Sequence, residues 1–198
     1  MLLGAGASLA LSGCGRVRSG EAPAATGKAA RLIAAARAQI GVTVRYDAAY
    51  TVLPFPGGDV PRERGACTDV IVRAYRDAFG IDLQALVNAD MRAAFGAYPR
   101  TWGLSAPDRN IDHRRVPNLR TFLSRHGAAL PIPGDASGWR PGDIFTSLVA
   151  GTGPHIGLVS DRRGRDGLLV IHNIGAGARE EDGLAAWPIT SRYRWGLV

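Results

Sequence analysis

Near Gly138 the hydrophobic period of the chain changes, and that single change limits the fold more than anything else in it. Before Gly138 apolar residues recur at helical spacing, in runs that end at Gly41, Gly80 and Gly127. After it, short apolar runs alternate with turn residues, beginning with Arg140-Pro141-Gly142-Asp143 and continuing through Gly151-Thr152-Gly153-Pro154. Helices are expected over residues 26–40, 67–79, 82–91 and 117–126, and antiparallel strands over 144–149, 155–160, 168–174 and 191–198. Helices first and strands after read as an α+β fold. Residues 53–64 and 98–116 read as loops, and the second is long enough to suggest a functional role.

One of the helices begins on a cysteine. From Cys67, residues Ile71, Ala74 and Ala78 fall on one face, while Asp69, Arg73, Arg76 and Asp77 fall on the other and are expected to face solvent. A helix N-terminus carries a partial positive charge, so a thiol in its first turn is expected to ionise below the usual cysteine range.

Cys14 is the other cysteine in the chain. It follows an apolar run over residues 2–11 and the small residues Ser12 and Gly13, a pattern similar to a bacterial lipobox. Roughly ten apolar residues are too few to cross a bilayer. Residues 1–14 are therefore expected to be a lipoprotein signal segment with Cys14 acylated, residues 15–25 a flexible tether, and residues 26–198 a single domain. The expected location is the cell envelope, membrane-anchored and facing the periplasm. With Cys14 lipidated, Cys67 has no disulfide partner, so the thiol is either buried and inert or chemically employed.

The formal net charge of +7 and pI near 10.2 come from arginines spread along the chain rather than from a basic run interleaved with aromatics. A solvated basic surface, with some attraction to anionic wall polymers, accounts for them, and no nucleic-acid partner is expected.

Two histidines lie in the strand region. A hairpin whose loop is residues 162–165 sets Ser160 opposite Gly167 and His155 opposite His172, on one face. A slip of one residue would separate them. Facing histidines can bind a metal, or one can orient the other as a base. Cys67, His155 and His172 lack close ligand spacing, so no metal or other cofactor is expected. A thiolate, an imidazole and a group that fixes its tautomer are what nucleophilic acyl transfer needs. His113 with Arg114 and Arg115 could grip substrate carboxylates, or the loop could be held by its own salt bridges. Asp143 is expected to be a turn residue, and His126 to compensate a helix dipole.

The segments Ala66-Cys67-Thr68-Asp69-Val70, Arg140-Pro141-Gly142-Asp143-Ile144, His155-Ile156-Gly157-Leu158-Val159-Ser160 and Ile171-His172-Asn173 resemble the NlpC-like, papain-fold cysteine peptidases of bacterial cell walls. More closely, residues 41–197 resemble the bacterial family known as domain of unknown function 1287. That likeness rests on Cys67-Thr68-Asp69, on the run from Asn110 to Leu119, and on the run from Val170 to Gly177. Where the peptidases have Asp-Cys-Ser, this chain has Ala66-Cys67-Thr68.

The resemblance implies a papain-like fold of N-terminal helices packed on a C-terminal antiparallel sheet. It also implies a monomeric hydrolase that cuts amide bonds in peptidoglycan stem peptides. Cys67 would be the nucleophile, His155 the general base and acid, and His172 the orienting third member, with Asn173 the alternative. Tyr46, with Tyr50 behind it, matches the tyrosine near the oxyanion site, and the Cys67 backbone N–H would be the second donor. A non-catalytic module that binds cell-wall peptides and an acyltransferase on the same fold are the alternatives.

Overall fold

A computed structural model describes Met1 and residues 25–197. Apart from Met1 and Ala25, the expected signal segment with Cys14 and the expected tether lie outside the described residues. Among those described, helices α1 (Gly27–Arg37), α2 (Cys67–Phe79), α3 (Leu83–Ala93) and α4 (Val116–Arg125) precede most of the sheet. Strands β1 (Arg45–Tyr46) and β2 (Arg64–Gly65) pair in parallel just ahead of α2. The main sheet is built from β3 (Ala129–Leu130), β4 (Ile144–Val149), β5 (Gly153–Arg163), β6 (Leu168–Asn173), β7 (Ala178–Glu181) and β8 (Ile189–Tyr193). It is antiparallel in the order β3-β8-β4-β5-β6-β7. The protein is α+β, as the change of period predicts. None of the described helices is long and apolar enough to cross a membrane.

The helices pack on one face of the sheet. Leu32, Ile33 and Ala36 of α1, Val70, Ile71 and Ala74 of α2, Val87 and Met91 of α3, and Leu119 and Phe122 of α4 share a core there. From the sheet come Ile144, Ile156, Leu158 and Ile171. A smaller core on the other face holds Trp139, Phe145, Val159, Leu168 and Val170, covered by Leu184 and Ile189. Both clusters follow from strand alternation: on β5, Ile156 and Leu158 face the helices, and Val159 faces away.

Helix α2 is the centre of the molecule. It ends at Gly80, whose φ of 69° suits a residue without a Cβ, and whose N–H bonds back to Arg76 O at 2.8 Å. The expectation that Asp69 and Arg73 face solvent is overturned: both are buried, and Arg73 has no exposed surface at all. The segment from Thr43 to Gly65 covers that side of the helix and brings matching groups. Arg73 bonds both carboxylate oxygens of Asp59, the Thr43 hydroxyl and the carbonyls of Val60 and Arg64. A polar helix face is not a solvated face when complementary charges lie over it.

Asp82 and Asp143 take the roles expected of them, whereas the last strand, expected over 191–198, spans Ile189–Tyr193. The Asp82 side chain caps α3 by accepting from the N–H groups of Gln84 and Ala85. Asp143 is structural: its buried carboxylate accepts from Arg140 N–H, Arg192 Nε and Arg194 Nε. His126 stands just past α4, 3.6 Å from Asp90. Trp195 lies beyond the last strand, which stops at Tyr193, and packs on Tyr75 and Phe122.

Candidate functional site

Cys67 opens α2 directly after an extended Ala66. The turn before the helix is held from beneath by Asp69, which accepts the Ala66 N–H at 2.6 Å. Arg114 holds Asp69 in turn, with Nε on Oδ1 and NH2 on Oδ2, both at 2.9 Å. The same guanidinium bonds the carbonyls of Asp47 and Ala49, and the Thr68 hydroxyl donates to the Arg114 carbonyl. One buried arginine therefore ties the Cys67 turn to the segment that carries Tyr46 and Tyr50.

Cys67, Tyr46, Tyr50, Trp102, Arg114, Arg115 and Pro154 line an open cleft of about 350 Å³. Arg115 lies 4.0 Å over the Trp102 ring and pairs with Asp112. A larger hollow of about 400 Å³ between α4 and Tyr193 contains none of the cysteine or histidine chemistry, so the Cys67 cleft is the better candidate.

The thiol does not behave as its position in the helix suggested. Burial pushes Cys67 up to about 11, and the nearby Asp69 carboxylate adds to the rise. Hydrogen bonding from the Ile156 and Thr68 backbone N–H groups and from the Tyr46 hydroxyl works in the opposite direction without overcoming it. The helix terminus is real, but only 4% of the cysteine is exposed, and desolvation wins. Tyr46 is itself raised to about 12, by burial first and then by the neighbouring Cys67.

The histidines form a second group. His155 Nε2 lies 2.9 Å from His172 Nδ1, and His172 Nε2 lies 3.0 Å from Glu181 Oε1. His155 and His172 share a face as expected, but not as directly opposed residues. Leu158 pairs with Ile171 and Val159 with Val170, so the register runs His172 toward Gly157, two residues from the expected pairing. The offset comes from a turn placed later than expected, with Arg163 paired to Leu168, and a bulge between Val159 and Arg163 takes back part of that shift. Two is the side-chain period of a strand, so the shift keeps the face. Gly157 makes the contact possible: a Cβ there would lie 2.6 Å from the Phe145 ring and 3.1 Å from His172 Cβ.

Burial lowers His155 to about 3, with His172 adding to the fall, and burial also lowers His172 against the opposing pull of Glu181. Both rings are therefore neutral at neutral pH. The backbone of Ile156, the residue after His155, is one of the groups that pull the Cys67 thiol down, whereas the His155 side chain takes the opposite face of β5. Alternation groups the His155 ring with Gly157 and Phe145, and it lies 6.2 Å from the Phe145 ring and 6.3 Å from Trp187. Among the described residues no hydrogen bond joins the Cys67 thiol to the imidazole.

Three other candidates are placed differently from expectation. Asn173, the alternative third member, reaches neither histidine: alternation turns it to the helix face, where it is fully buried and donates to the carbonyls of Gly65 and Arg45, which fixes β1 and β2 ahead of Cys67. His113 does not reach out to a carboxylate, because it is buried and pushed down to about 4 by desolvation. Arg114 lines the cleft, but its guanidinium is spent on Asp69 and two carbonyls. The alternative of a loop held by its own ion pairs is the one observed. Glu181 was missed from the sequence, since nothing in Ala178-Arg179-Glu180-Glu181 marks a strand. The pairing that reveals it, Arg179 opposite His172, exists only in the folded sheet. Among the described residues no three His, Cys, Asp or Glu side chains converge as metal ligands.

With this geometry in view, the comparison with known proteins is direct. The family model for a domain of unknown function, DUF1287, matches residues 33–195, and the chain belongs to that family. It is 53% identical over 161 residues to the uncharacterised protein YijF of Escherichia coli strain K12, a match that covers 81% of this chain and 78% of that protein. No solved structure matches the chain.

Proposed function

We propose that this chain is a papain-like cysteine hydrolase that cuts amide bonds of peptidoglycan stem peptides. The observation that carries the reading is a cysteine at the first turn of α2 that lines an open cleft together with Tyr46. In the proposed reaction Cys67 Sγ attacks the amide carbonyl carbon as the thiol proton passes to His155, the base that the resemblance names, whose ring must first turn from the Phe145 side of β5 toward the cleft. The backbone N–H of Cys67 and the Tyr46 hydroxyl hold the oxyanion. The C–N bond then breaks, and the leaving amine takes the proton back from His155. Water attacks the thioester, giving up its own proton to His155, and that proton returns to Cys67 as the acid departs.

The basic surface suits a polyanionic wall, and acylation at Cys14 would keep the domain at the membrane that faces it. Purified muropeptides incubated with the protein and read by mass spectrometry test the activity. Wild type is expected to cut them and Cys67→Ala to leave them intact; equal cutting by the two would remove Cys67 from the mechanism.

A second reading has its own support. A buried thiol raised to about 11, with no hydrogen bond to the imidazole, suits a module that holds wall peptides without cutting them. Such a protein would bind muropeptides, release no product, and alkylate at Cys67 as slowly with peptide as without it.

A further inference from the structure

We infer that Glu181 is a positioning residue that sets the tautomers of both histidines and leaves the His155 Nδ1 lone pair free for a proton. Its catalytic consequence rests on the hydrolase reading; the tautomer assignment does not.

Proton counting gives the assignment. A carboxylate has no proton to donate, so in the 3.0 Å contact with Glu181 Oε1 the hydrogen is on His172 Nε2. A neutral imidazole carries one N–H, so His172 Nδ1 can only accept. In the 2.9 Å contact with His155 Nε2 the hydrogen must then belong to His155. His155 has no second N–H, and its Nδ1 is a bare acceptor. Among the described residues that nitrogen has no hydrogen-bond partner.

The placement is specific to the edge strand. Residue 181 pairs with Val170, which puts its side chain on the face of His172. Glu180, one residue earlier, turns to the other face and meets Arg37 and Ser160. Only one of the two adjacent glutamates can read the histidines. Trp187 and Gly183 lie over the pair: a Cβ at Gly183 would be 3.6 Å from His172 Cε1. Shielding from water keeps both rings neutral and makes the directional chain meaningful.

Long-range proton–nitrogen spectra of the ¹⁵N-labelled full chain at neutral pH read each tautomer directly. Wild type is expected to show His155 and His172 each protonated at Nε2. Glu181→Ala should give His172 a mixed tautomer and carry His155 with it, whereas Glu181→Gln, whose amide carbonyl accepts the same hydrogen, should restore both. Glu181 is half-exposed, so neither substitution opens the core. A proton on His155 Nδ1 in wild type, or tautomers unmoved in Glu181→Ala, would overturn the inference. On muropeptides, Glu181→Ala should lower kcat by about ten- to a hundredfold with KM unchanged, part of the roughly 10²–10⁴-fold a positioned base supplies. If wild type cuts nothing while the tautomers still respond to Glu181→Ala, the hydrolase reading falls and the relay stands.

Discussion

Arg114 shows how a charge inside a protein changes meaning with its partners. It is almost wholly buried, and every contact it makes is to a group that would otherwise be unsatisfied: the Asp69 carboxylate and the carbonyls of Asp47 and Ala49. Removing Arg114 leaves the Asp69 charge buried with, among the described residues, only the Ala66 N–H to bond it. Arg114→Met is therefore expected to cost about 3–5 kcal/mol, read as a lower urea midpoint, and Asp69→Asn to cost less because it leaves a group that still bonds. Cys67 makes the second prediction at this scale. With desolvation ahead of the helix dipole, the free protein should alkylate at Cys67 with an apparent pKa near 11. A value below the ordinary thiol range of about 8.5 would mean that the resting cysteine is an ion, and the geometry described above would be wrong.

The secondary-structure elements were legible to different degrees, for physical reasons. Helices α2 and α3 announce themselves by period and by Gly80 and Asp82, which act locally. The pairing of β5 with β6 does not, because the position of the turn and the bulge beside it depend on the whole sheet, and alternation only fixes which face a side chain takes. His155 and His172 could thus be placed on one face but not at their true offset. β7 was invisible because two charged faces give no alternation of apolar with polar residues. Glu181 was invisible with it. Asp69 and Arg73 misled for the converse reason, since helical period reports polarity and says nothing of a loop that covers it. Gly157 is the element-scale test of the register. Its φ is unremarkable, but a methyl group there meets Phe145 and His172. Gly157→Ala should destabilise the protein by about 1–3 kcal/mol through overpacking and shift the His172 ring signals. A thermally neutral variant with native histidine signals would show that the strands pair differently.

At the scale of the whole molecule, burying neutral histidines makes stability depend on acid. His155 is lowered to about 3 and His113 to about 4, both from an ordinary value of 6.5. Between those values the unfolded chain binds protons that the native chain refuses. Stability is therefore full above pH 6.5 and falls as the pH drops toward 4 and then 3, on the order of 1 kcal/mol per pH unit for each ring. Urea midpoints at pH 7, 5.5 and 4.5 should fall in that order, and a flat series would mean the rings are charged or exposed in the native state. The short edge strand has a further consequence, for solubility. The open edges of the main sheet are β3, two residues long, and β7, four residues of which three are charged. Brevity and charge make both poor templates for a strand from another chain. The glutamate that orients the histidines thus sits in a strand that also discourages aggregation, and replacing Arg179, Glu180 and Glu181 together by Thr should make the domain associate through that edge, read as a concentration-dependent rise in mass by light scattering.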